Sequence, residues 1–398
     1  MGSENFDLNL GRLGEVMEVL LWSSAAIITY AYIGYPVLIT LLSFFFDTKV
    51  KTAKIEPSVT LLIAAYNEEK DISKKLDNSL ALDYPKEKLE IVVASDGSTD
   101  ETDEIVRKYE KNERGVRVVL HRVEGRLGKT AAQNSAVRVA KGDIIIFSDA
   151  ASLYDPNAVR ALTRNYADPS VGAVSGLYRY INKTEGSVGT ATIRFWNFEN
   201  FIKSRQTRIK TITGCCGCIY SVRRDAYTEL PPNIISDLVE PLTILKKGYR
   251  IVFEPEALAY EETTEKPKDE FRMRVRVIVR GMNGLLYMRS LLNPLRYPFV
   301  AFQLFSHKVL RWLVPVFCIV LFLTSASLAA TGPAYGSLFL AQVSFYVLAM
   351  AGALLDSRGI KAKALSLPMY FTIVNAASLV SLFKVFKGEN IVVWQTQR

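Results

Sequence analysis

Two aspartates end apolar runs at points where a buried strand would stop. Asp149 closes the run IIIFSD, and Asp96 closes LEIVVASD. A short continuous apolar run is typical of a buried parallel strand, and open α/β sheets bind their ligands outside the carboxyl ends of such strands. Ala150 and Ala151 follow Asp149, and their small side chains leave room around its carboxylate. We therefore predict that both acids lie at the ligand-binding edge of one sheet.

Strands and helices must alternate along the chain to bring these acids together. Between residues 58 and 150 four strand-like segments alternate with charged, helix-like segments. The strand-like segments are SVTLLIAA, LEIVVAS, VRVVLHRV and GDIIIFSD. Ser98, with Glu101 three residues later, predicts a capping box at the start of one helix. This pattern predicts a mainly parallel α/β nucleotide-binding domain. No G-x-G-x-x-G follows the first strand, and the glycines of GRLGKT are too close for a phosphate-binding P-loop.

Long uncharged segments flank this domain at residues 19–46, 312–355 and 364–383. A helix needs about 20 apolar residues to cross a bilayer, and TGPAYG divides the second segment into a hairpin. We therefore predict four membrane spans, one before the domain and three after it. Either a re-entrant last segment or another crossing near residues 295–306 would change the side of the membrane on which the C-terminus lies. The sequence does not decide which side that is.

Basic residues flank the predicted spans on the side of the α/β domain: Lys49, Lys51, Lys54, Lys308 and Arg311. By the positive-inside rule they predict a multi-pass cell membrane protein whose domain is cytoplasmic. The predicted parts are an N-terminal transmembrane helix over 1–47, the cytoplasmic domain over 48–265, interfacial amphipathic helices over 266–306, and a C-terminal transmembrane region with its tail over 307–398.

The net charge of +9 includes a basic cluster, FRMRVRVIVRG, shortly before a predicted span. Its position predicts contact with anionic membrane lipids and not with nucleic acid. Three of the four cysteines lie together in TGCCGC, and the two histidines are not in a metal-binding spacing. Zinc sites usually pair two such cysteine clusters or add histidines, so we predict none.

Six short motifs occur in an order known from one family: AAYNEE, SDGSTD, GKTAAQNSA, IFSDAAS, TGCCGCIYSVRR and ISDLVEPLTILKKGY. Together they resemble the membrane-bound family-2 glycosyltransferases of the cellulose-synthase superfamily. The resemblance covers residues 58 to about 282 and, with the flanking spans, most of the chain. It implies a nucleotide-sugar-binding fold of the GT-A type, inverting chemistry, and a divalent metal, Mg²⁺ or Mn²⁺.

The same resemblance implies a donor site. Asp149 stands at the first acid of the family's D-x-D motif and would hold the metal, although Ala151 stands where a second acid or Asn is expected. Tyr66 and Glu68 would lie against the uracil and the ribose, Asp96 would read the base edge, and Lys129 would supply a cation. The implied donor-binding residues are Ala65, Tyr66, Glu68, Asp96, Lys129, Asp149 and Ala150.

For the acceptor, the resemblance implies Asp237 as the catalytic base, in the place of the acid of the Thr-Glu-Asp motif. Ser236 replaces the Glu of that motif. Where the family carries Gln-x-x-Arg-Trp, this chain keeps arginines and has no Trp, while Trp394 resembles a tail that the family keeps on the domain side. The implied acceptor or donor-sugar residues are Gly214, Cys215, Gly217, Ser236, Arg274, Arg276, Arg280 and Trp394.

These residues predict a membrane-embedded enzyme that transfers a sugar from a nucleotide-sugar donor, UDP-linked, to a lipid-linked or glycan acceptor. The missing Trp favours transfer of a single sugar, or assembly of a short or unusual glycan, over processive synthesis, since aromatic stacking helps to hold a growing glycan. A processive polysaccharide synthase that extrudes its product is the alternative. A non-catalytic nucleotide-sugar sensor is the alternative from another class, and the incomplete D-x-D motif is the feature in its favour. The sugar, the acceptor and the oligomeric state stay open.

Overall fold

The structure is a computed structural model that describes residues 2–181, 186–262 and 266–391, with side chains from residue 12 onward. Helix α1 (Gly2–Thr29) continues through a short π-helical turn into α2 (Tyr35–Phe45). Together they form one long helical run that leads to the α/β domain.

The domain is built on one eight-stranded sheet with the order β3-β2-β1-β4-β7-β6-β8-β5. The strands β1, β2, β3 and β4 are parallel, and β7 then pairs antiparallel with β4. This arrangement confirms the predicted mainly parallel α/β domain. The strand bounds are β1 (Val59–Ala65), β2 (Leu89–Ser95), β3 (Arg117–Arg122), β4 (Ile144–Asp149), β5 (Leu153–Tyr154), β6 (Val171–Ile181), β7 (Ile219–Arg223) and β8 (Arg250–Glu262).

Helices cover both faces of this sheet. Their bounds are α3 (Ile72–Leu80), α4 (Thr102–Tyr109), α5 (Lys129–Val139), α6 (Ala158–Thr163), α7 (Ser187–Ile209) and α8 (Ser236–Lys246). Ile72 of α3 and Val106 of α4 belong to the core on one face, and Ala132 of α5 belongs to the core on the other. Burial on both faces explains why β1, β2 and β4 are mostly apolar along their length, with Thr60 and Glu90 as interruptions, and do not alternate between apolar and polar residues.

Five helices follow the sheet: α9 (Pro267–Tyr287), α10 (Pro298–Leu304), α11 (Leu310–Leu328), α12 (Pro333–Ser357) and α13 (Ser366–Phe386). A π-helical turn at Phe305–Val309 joins α10 to α11, so the expected boundary between residues 306 and 307 falls inside one continuous helical segment. Four segments of the described chain are long and apolar enough to cross a membrane: Arg12–Phe45, Pro298–Leu328, Pro333–Ser357 and Lys363–Phe386. Their number agrees with the four predicted spans.

The predicted capping box at Ser98 and Glu101 is wrong, because α4 begins at Thr102. The Asp100 carboxylate caps this helix and accepts a hydrogen bond from the Thr102 backbone N–H at 3.0 Å. The Ser98 hydroxyl instead accepts one from the Asn67 backbone N–H at 3.2 Å. Ser98 therefore connects the turns that follow β1 and β2. Because its hydroxyl is engaged by Asn67, it does not cap α4.

Glu240 is buried inside α8, where its Oε1 accepts a hydrogen bond from the Thr228 backbone N–H at 3.1 Å. Burial raises the pKa of this carboxyl to about 8. An unfolded glutamate has a pKa of about 4.3, so between these values the folded chain keeps a proton that the unfolded chain releases. This contribution to stability is fully present below the unfolded pKa and is lost as pH rises towards 8.

We expect Glu240→Gln to remove this pH dependence, because the amide does not titrate. Relative to the variant, wild type should lose stability between about pH 4.5 and 8, by up to about 1.4 kcal/mol per pH unit. The measurement is the thermal unfolding midpoint of both proteins at pH 5 and pH 8. A difference between the two proteins that is the same at both pH values would contradict a buried, neutral Glu240.

Candidate active site

The strand register gathers the predicted donor residues at one edge of the sheet. Ala64 of β1 pairs with Asp149 of β4, and Ala65 pairs with Ser95 of β2. The Asp96 backbone N–H donates to the Ala65 carbonyl at 2.9 Å, so the turns that carry Tyr66 and Asp96 leave the sheet side by side. These residues and Asp149 lie along the carboxyl ends of three adjacent parallel strands, as the sequence predicts.

Asp96 holds the loop that leads into α5. Its two carboxylate oxygens accept hydrogen bonds from the backbone N–H groups of Leu127 at 2.8 Å and Gly128 at 2.9 Å. Burial raises the pKa of Asp96, and these two bonds act against that shift. The Arg126 guanidinium from the same loop lies 3.9 Å from the centre of the Tyr66 ring. Asp96 therefore fixes the loop that brings Arg126 against Tyr66.

Asp149 forms an ion pair with Lys129, the first residue of α5. Burial lowers the pKa of the Lys129 ammonium, but the charge and hydrogen bond of Asp149 outweigh it, and the net pKa is raised. The ammonium also lies 3.4 Å from the Gly217 carbonyl oxygen. The Asp149 side chain is 38% exposed, so its carboxylate faces the open edge of the sheet with a cation already beside it.

The residues around Asp149 fit a metal that arrives with a diphosphate. Among the described residues no group of three or more His, Cys, Asp or Glu side chains could hold a metal by itself. Mg²⁺ sites commonly use one or two carboxylates together with substrate phosphates and water. Asp149 supplies one exposed carboxylate, and its pairing with Lys129 shows that the position favours positive charge.

Asp237 lies in the first turn of α8, and its backbone carbonyl accepts a hydrogen bond from the Cys215 N–H at 2.9 Å. A β-carbon built on Gly217 would stand 2.5 Å from Oδ2 of Asp237, so the glycine loop packs directly against this carboxyl. Burial raises the pKa of Asp237, while the charges of Lys129 and Arg280 lower it. Lys129 therefore connects the two acids: it pairs with Asp149, and its charge acts on Asp237.

Two arginines of α9 face the same region. Burial lowers the pKa of Arg276, with the Asp149 charge opposing, and burial lowers the pKa of Arg280, with the Asp237 charge opposing. Arg280 also donates to the Ile234 carbonyl at 3.3 Å, just before α8. These two guanidiniums add positive charge on the side of the site opposite the sheet.

Arg274 requires a correction, because the structure engages it elsewhere. Its Nε donates to Glu270 at 2.8 Å, and its guanidinium also bonds the Tyr370 hydroxyl. Glu270 is fully buried and lies one turn before Arg274 on the same helix, α9. The Tyr370 hydroxyl of α13 bonds both side chains, so it is this residue that connects the pair to α13. The side chain of Arg274 is therefore a tie between helices and does not reach Asp149 or Asp237.

Other predicted residues have more limited roles in the site. The side chains of Ala65 and Ala150 pack in the core of the domain, so only their backbone can face a ligand. Glu68 is mostly buried, and its backbone N–H donates to Thr102 Oγ1 at 2.8 Å. Ser236 begins α8, and Gly214 lies beside Leu238 in the same helix. Trp394 lies outside the described residues.

Lys75 is a buried cation beneath the Asp149 turn that sequence reasoning missed. Its ammonium donates to the Ser152 carbonyl at 2.5 Å and lies 3.9 Å from the centre of the Tyr154 ring. Burial lowers its pKa to about 7, and the charges of Asp149 and Glu261 oppose this shift. Helical spacing could have found it, since Lys75 falls three residues after Ile72 on the buried face of α3.

We expect Gly217→Ala to displace the Asp237 carboxyl, since the added β-carbon would meet Oδ2 at 2.5 Å. Substrate turnover should fall at least about tenfold, because small misplacements of a reacting group are costly, while nucleotide binding persists. Gly214→Ala is the matched control, since its β-carbon would meet only Leu238 Cδ1 at 3.2 Å. Equal turnover by the two variants would show that the 217 contact does not position Asp237.

Comparisons with known proteins point to one family. Residues 60–230 match the family Glycosyl transferase family 2. Poly-beta-1,6-N-acetyl-D-glucosamine synthase of Staphylococcus aureus (strain COL) is 31% identical over 233 residues, 57% of this chain and 55% of that protein. Probable glycosyltransferase YdaM of Bacillus subtilis (strain 168) is 30% identical over 234 residues, 55% of this chain and 54% of that protein. The chain thus spans about half the length of these curated relatives.

One solved structure matches nearly the whole chain. Mannosyltransferase PcManGT from Pyrobaculum calidifontis, in complex with GDP-Man and Mn²⁺, has a TM-score of 0.68 at 22% identity and covers 93% of this chain and all of its own. This likeness confirms the predicted GT-A-type fold with its flanking helices. The match of residues 60–230 to Glycosyl transferase family 2 confirms the predicted resemblance to family-2 glycosyltransferases.

Proposed function

We propose that this protein is an inverting glycosyltransferase that moves one sugar from a UDP-linked donor to a lipid-linked or glycan acceptor. The observation that carries the proposal is the pair of acids, Asp149 and Asp237, which come from different elements and lie on either side of Lys129. Lys129 pairs with Asp149 and its charge acts on Asp237. We further propose that the four apolar helical segments cross the cell membrane, with the catalytic domain on the cytoplasmic side and α9 at the interface.

The proposed donor site holds each part of the nucleotide sugar with a different group. Tyr66, stacked with Arg126, would bind the base. Glu68 would bind the ribose, and Asp96 would hold the Leu127–Gly128 loop beside the nucleoside. The diphosphate would lie among the cations Lys129, Arg276 and Arg280. A divalent cation held by Asp149, when bound, would neutralise the charge on the leaving diphosphate.

On the acceptor side, Asp237 would take the proton of the attacking hydroxyl. The acceptor oxygen would bond to the anomeric carbon as the carbon–oxygen bond to the diphosphate breaks, which inverts the configuration at that carbon. Burial raises the pKa of Asp237, and a base with a raised pKa accepts a proton more readily near neutral pH. Lys129, Arg276 and Arg280 would stabilise the negative charge that develops on the leaving group.

A processive synthase is the second candidate, and two observations favour it. The Staphylococcus aureus relative is named a polysaccharide synthase. In addition, Trp312 of α11 packs against Gly281, where an added β-carbon would lie 3.2 Å from the indole. An aromatic side chain therefore packs on α9 at the position that follows Arg280 in the chain, although α9 itself carries no Trp. The length of the product made from one donor distinguishes the two candidates.

The experiment is a screen of UDP- and GDP-sugars for nucleoside diphosphate release by the purified chain in detergent, with and without lipid acceptors. We expect one UDP-sugar to be turned over, faster with acceptor, giving a product extended by one sugar. A ladder of longer products would favour the processive candidate. Binding of a nucleotide sugar without release of diphosphate in any condition would favour a sensor and contradict the proposal.

We expect Arg280→Gln to shift the acidic limb of the pH–activity profile to higher pH. Asp237 must be deprotonated to act as a base, so activity rises as pH passes through its pKa. The Arg280 charge lowers that pKa, and its removal should raise the pKa further. The measurement is kcat/KM against pH for both proteins. A profile that drops in height without moving along the pH axis would contradict this electrostatic role.

A further inference from the structure

A buried set of polar side chains lies between α7 and the helical segment Pro298–Leu328. On α7, Glu199, Lys203 and Gln206 follow one another at intervals of four and three residues and so share one face of the helix. All three are less than a tenth exposed. The opposing segment contributes side chains at positions 307, 308 and 311. We call this set the basic seam; its members are Glu199, Lys203, Gln206, His307, Lys308 and Arg311.

The single carboxylate of the basic seam is already engaged. Glu199 forms an ion pair with Arg311, and His307 Nε2 lies 3.3 Å from its other oxygen. Gln206 donates to the Tyr35 hydroxyl at 2.7 Å. Although Lys203 stands four residues from Glu199, where an ion pair could form, Glu199 pairs with Arg311 instead.

Two lysines of the basic seam, Lys203 and Lys308, form no ion pair within the described residues. The Lys203 ammonium lies 5.7 Å and 5.9 Å from the ring centres of Trp196 and Phe253, and neither contact neutralises its charge. Lys308, which is partly buried, has no hydrogen bond or ion pair to any described group either. The Glu199 charge acts on Lys308, but this carboxylate is already engaged by Arg311 and His307. A buried charge without a counter-ion is costly, so this arrangement is suited to an anion that the chain itself does not supply.

The position of the basic seam connects it to the proposed catalytic base. The charge of Lys203 acts on the Asp237 carboxyl and lowers its pKa. Lys308 lies within electrostatic reach of both Lys203 and Asp237. The donor's diphosphate already has its own cations on α5 and α9, whereas the basic seam is formed by α7 and a long apolar helix. A ligand that reaches it can therefore approach Asp237 from the side of the apolar helices.

We propose that Lys203 and Lys308 bind the phosphate of a lipid-borne acceptor and so hold its hydroxyl beside Asp237. This inference rests on the proposed glycosyl transfer and narrows the acceptor to a phosphate-bearing lipid. Lysine ammoniums bind phosphate as point charges. In the transfer the acceptor hydroxyl loses its proton to Asp237, its oxygen bonds to the anomeric carbon, and the nucleoside diphosphate leaves. The acceptor phosphate makes and breaks no bond.

The test uses three probes that separate the parts of such an acceptor: phosphatidylglycerol has hydroxyls, a phosphate and acyl chains, diacylglycerol lacks the phosphate, and glycerol 3-phosphate lacks the acyl chains. Each competes with a fluorescent phosphatidylglycerol for the full chain in dodecyl maltoside micelles, which contain no phosphate. We expect wild type to bind phosphatidylglycerol more tightly than either other probe. Lys203→Gln and Lys308→Gln should each weaken that binding about tenfold or more, since a hydrogen bond to a charged group is lost.

Controls separate this role from a structural one. Lys203→Arg keeps the charge and should retain most of the binding. Lys210→Gln, at the exposed C-terminal end of the same helix, changes charge equally and should bind as wild type. All variants should bind nucleotide sugar with unchanged affinity, which shows that the fold is intact.

Two results would overturn the inference while leaving the proposed function intact. One is that Lys203→Gln and Lys308→Gln bind phosphatidylglycerol as Lys210→Gln does. The other is that diacylglycerol or glycerol 3-phosphate competes as well as phosphatidylglycerol, since the ligand would then need no phosphate or no lipid. A wild-type chain that binds no nucleotide sugar at all would instead contradict the glycosyltransferase proposal, and this inference with it.

Discussion

We expect Asp237→Asn to lower sugar transfer by about 10²- to 10⁴-fold, the usual contribution of a general base. The amide keeps the size of the carboxyl but takes up no proton at neutral pH. Asp237 lies against Gly217 and its backbone bonds Cys215, and neither contact requires its charge. The fold and the glycine loop should therefore survive, and the lost function is proton transfer alone.

The measurement is donor affinity and transfer rate on the same purified protein. Nucleotide-sugar affinity should stay near that of wild type, because the proposed donor contacts lie on Tyr66, Asp96 and Lys129. Glu240→Gln is the matched control, since it removes another buried carboxyl of α8 that does not face the donor. Transfer by Asp237→Asn within a few-fold of wild type would mean that another group is the base.

We expect Asp149→Ala to abolish donor turnover. The proposed metal neutralises the leaving diphosphate, an effect worth several kcal/mol in the transition state, and Asp149 is its proposed protein ligand. EDTA should abolish donor turnover by the wild-type protein, and addition of Mg²⁺ or Mn²⁺ should restore it. In the variant the same metals should fail to restore turnover, and its affinity for Mn²⁺ in the presence of nucleoside diphosphate should fall.

Loss of Asp149 also leaves the Lys129 ammonium without its ion-pair partner, so folding needs a separate check. Asp149→Asn preserves a hydrogen-bond acceptor for Lys129, and it should unfold near the wild-type temperature while remaining inactive. Asp77→Ala, on the exposed side of α3, is the control for removal of an acid. Full wild-type activity in EDTA would remove the metal from the mechanism.

Much of the fold could be predicted because buried strands are rich in apolar residues, and this enrichment is visible in the sequence. The strands that carry Asp96 and Asp149 are covered on both faces by helices, and such strands read as continuous apolar runs. The order of turns after those strands then places both acids at one edge of the sheet. Local pattern and chain order are enough for this much of the site.

Side chains whose roles depend on distant partners were harder to predict. Ser98 looked like a helix cap but bonds the turn after β1, and Arg274 looked like a ligand residue but pairs with Glu270 and Tyr370. Lys308 and Arg311 looked like residues flanking a span, yet they face α7, where Arg311 pairs with Glu199. Ser98 and Arg311 find their partners on other elements, which no local pattern in the sequence indicates. Glu270 instead lies four residues before Arg274 on α9, and this spacing could have indicated the ion pair.

The most direct test of the central claim is the configuration of the first product. In the proposed mechanism Asp237 acts as a base across the site from Asp149, and no covalent sugar intermediate forms. One transfer must therefore invert the configuration at the anomeric carbon. Proton NMR of wild type with its preferred donor follows the anomeric signals of donor and product. We expect an α-linked donor to give a β-linked first product. A first product with the donor's own configuration would contradict the account.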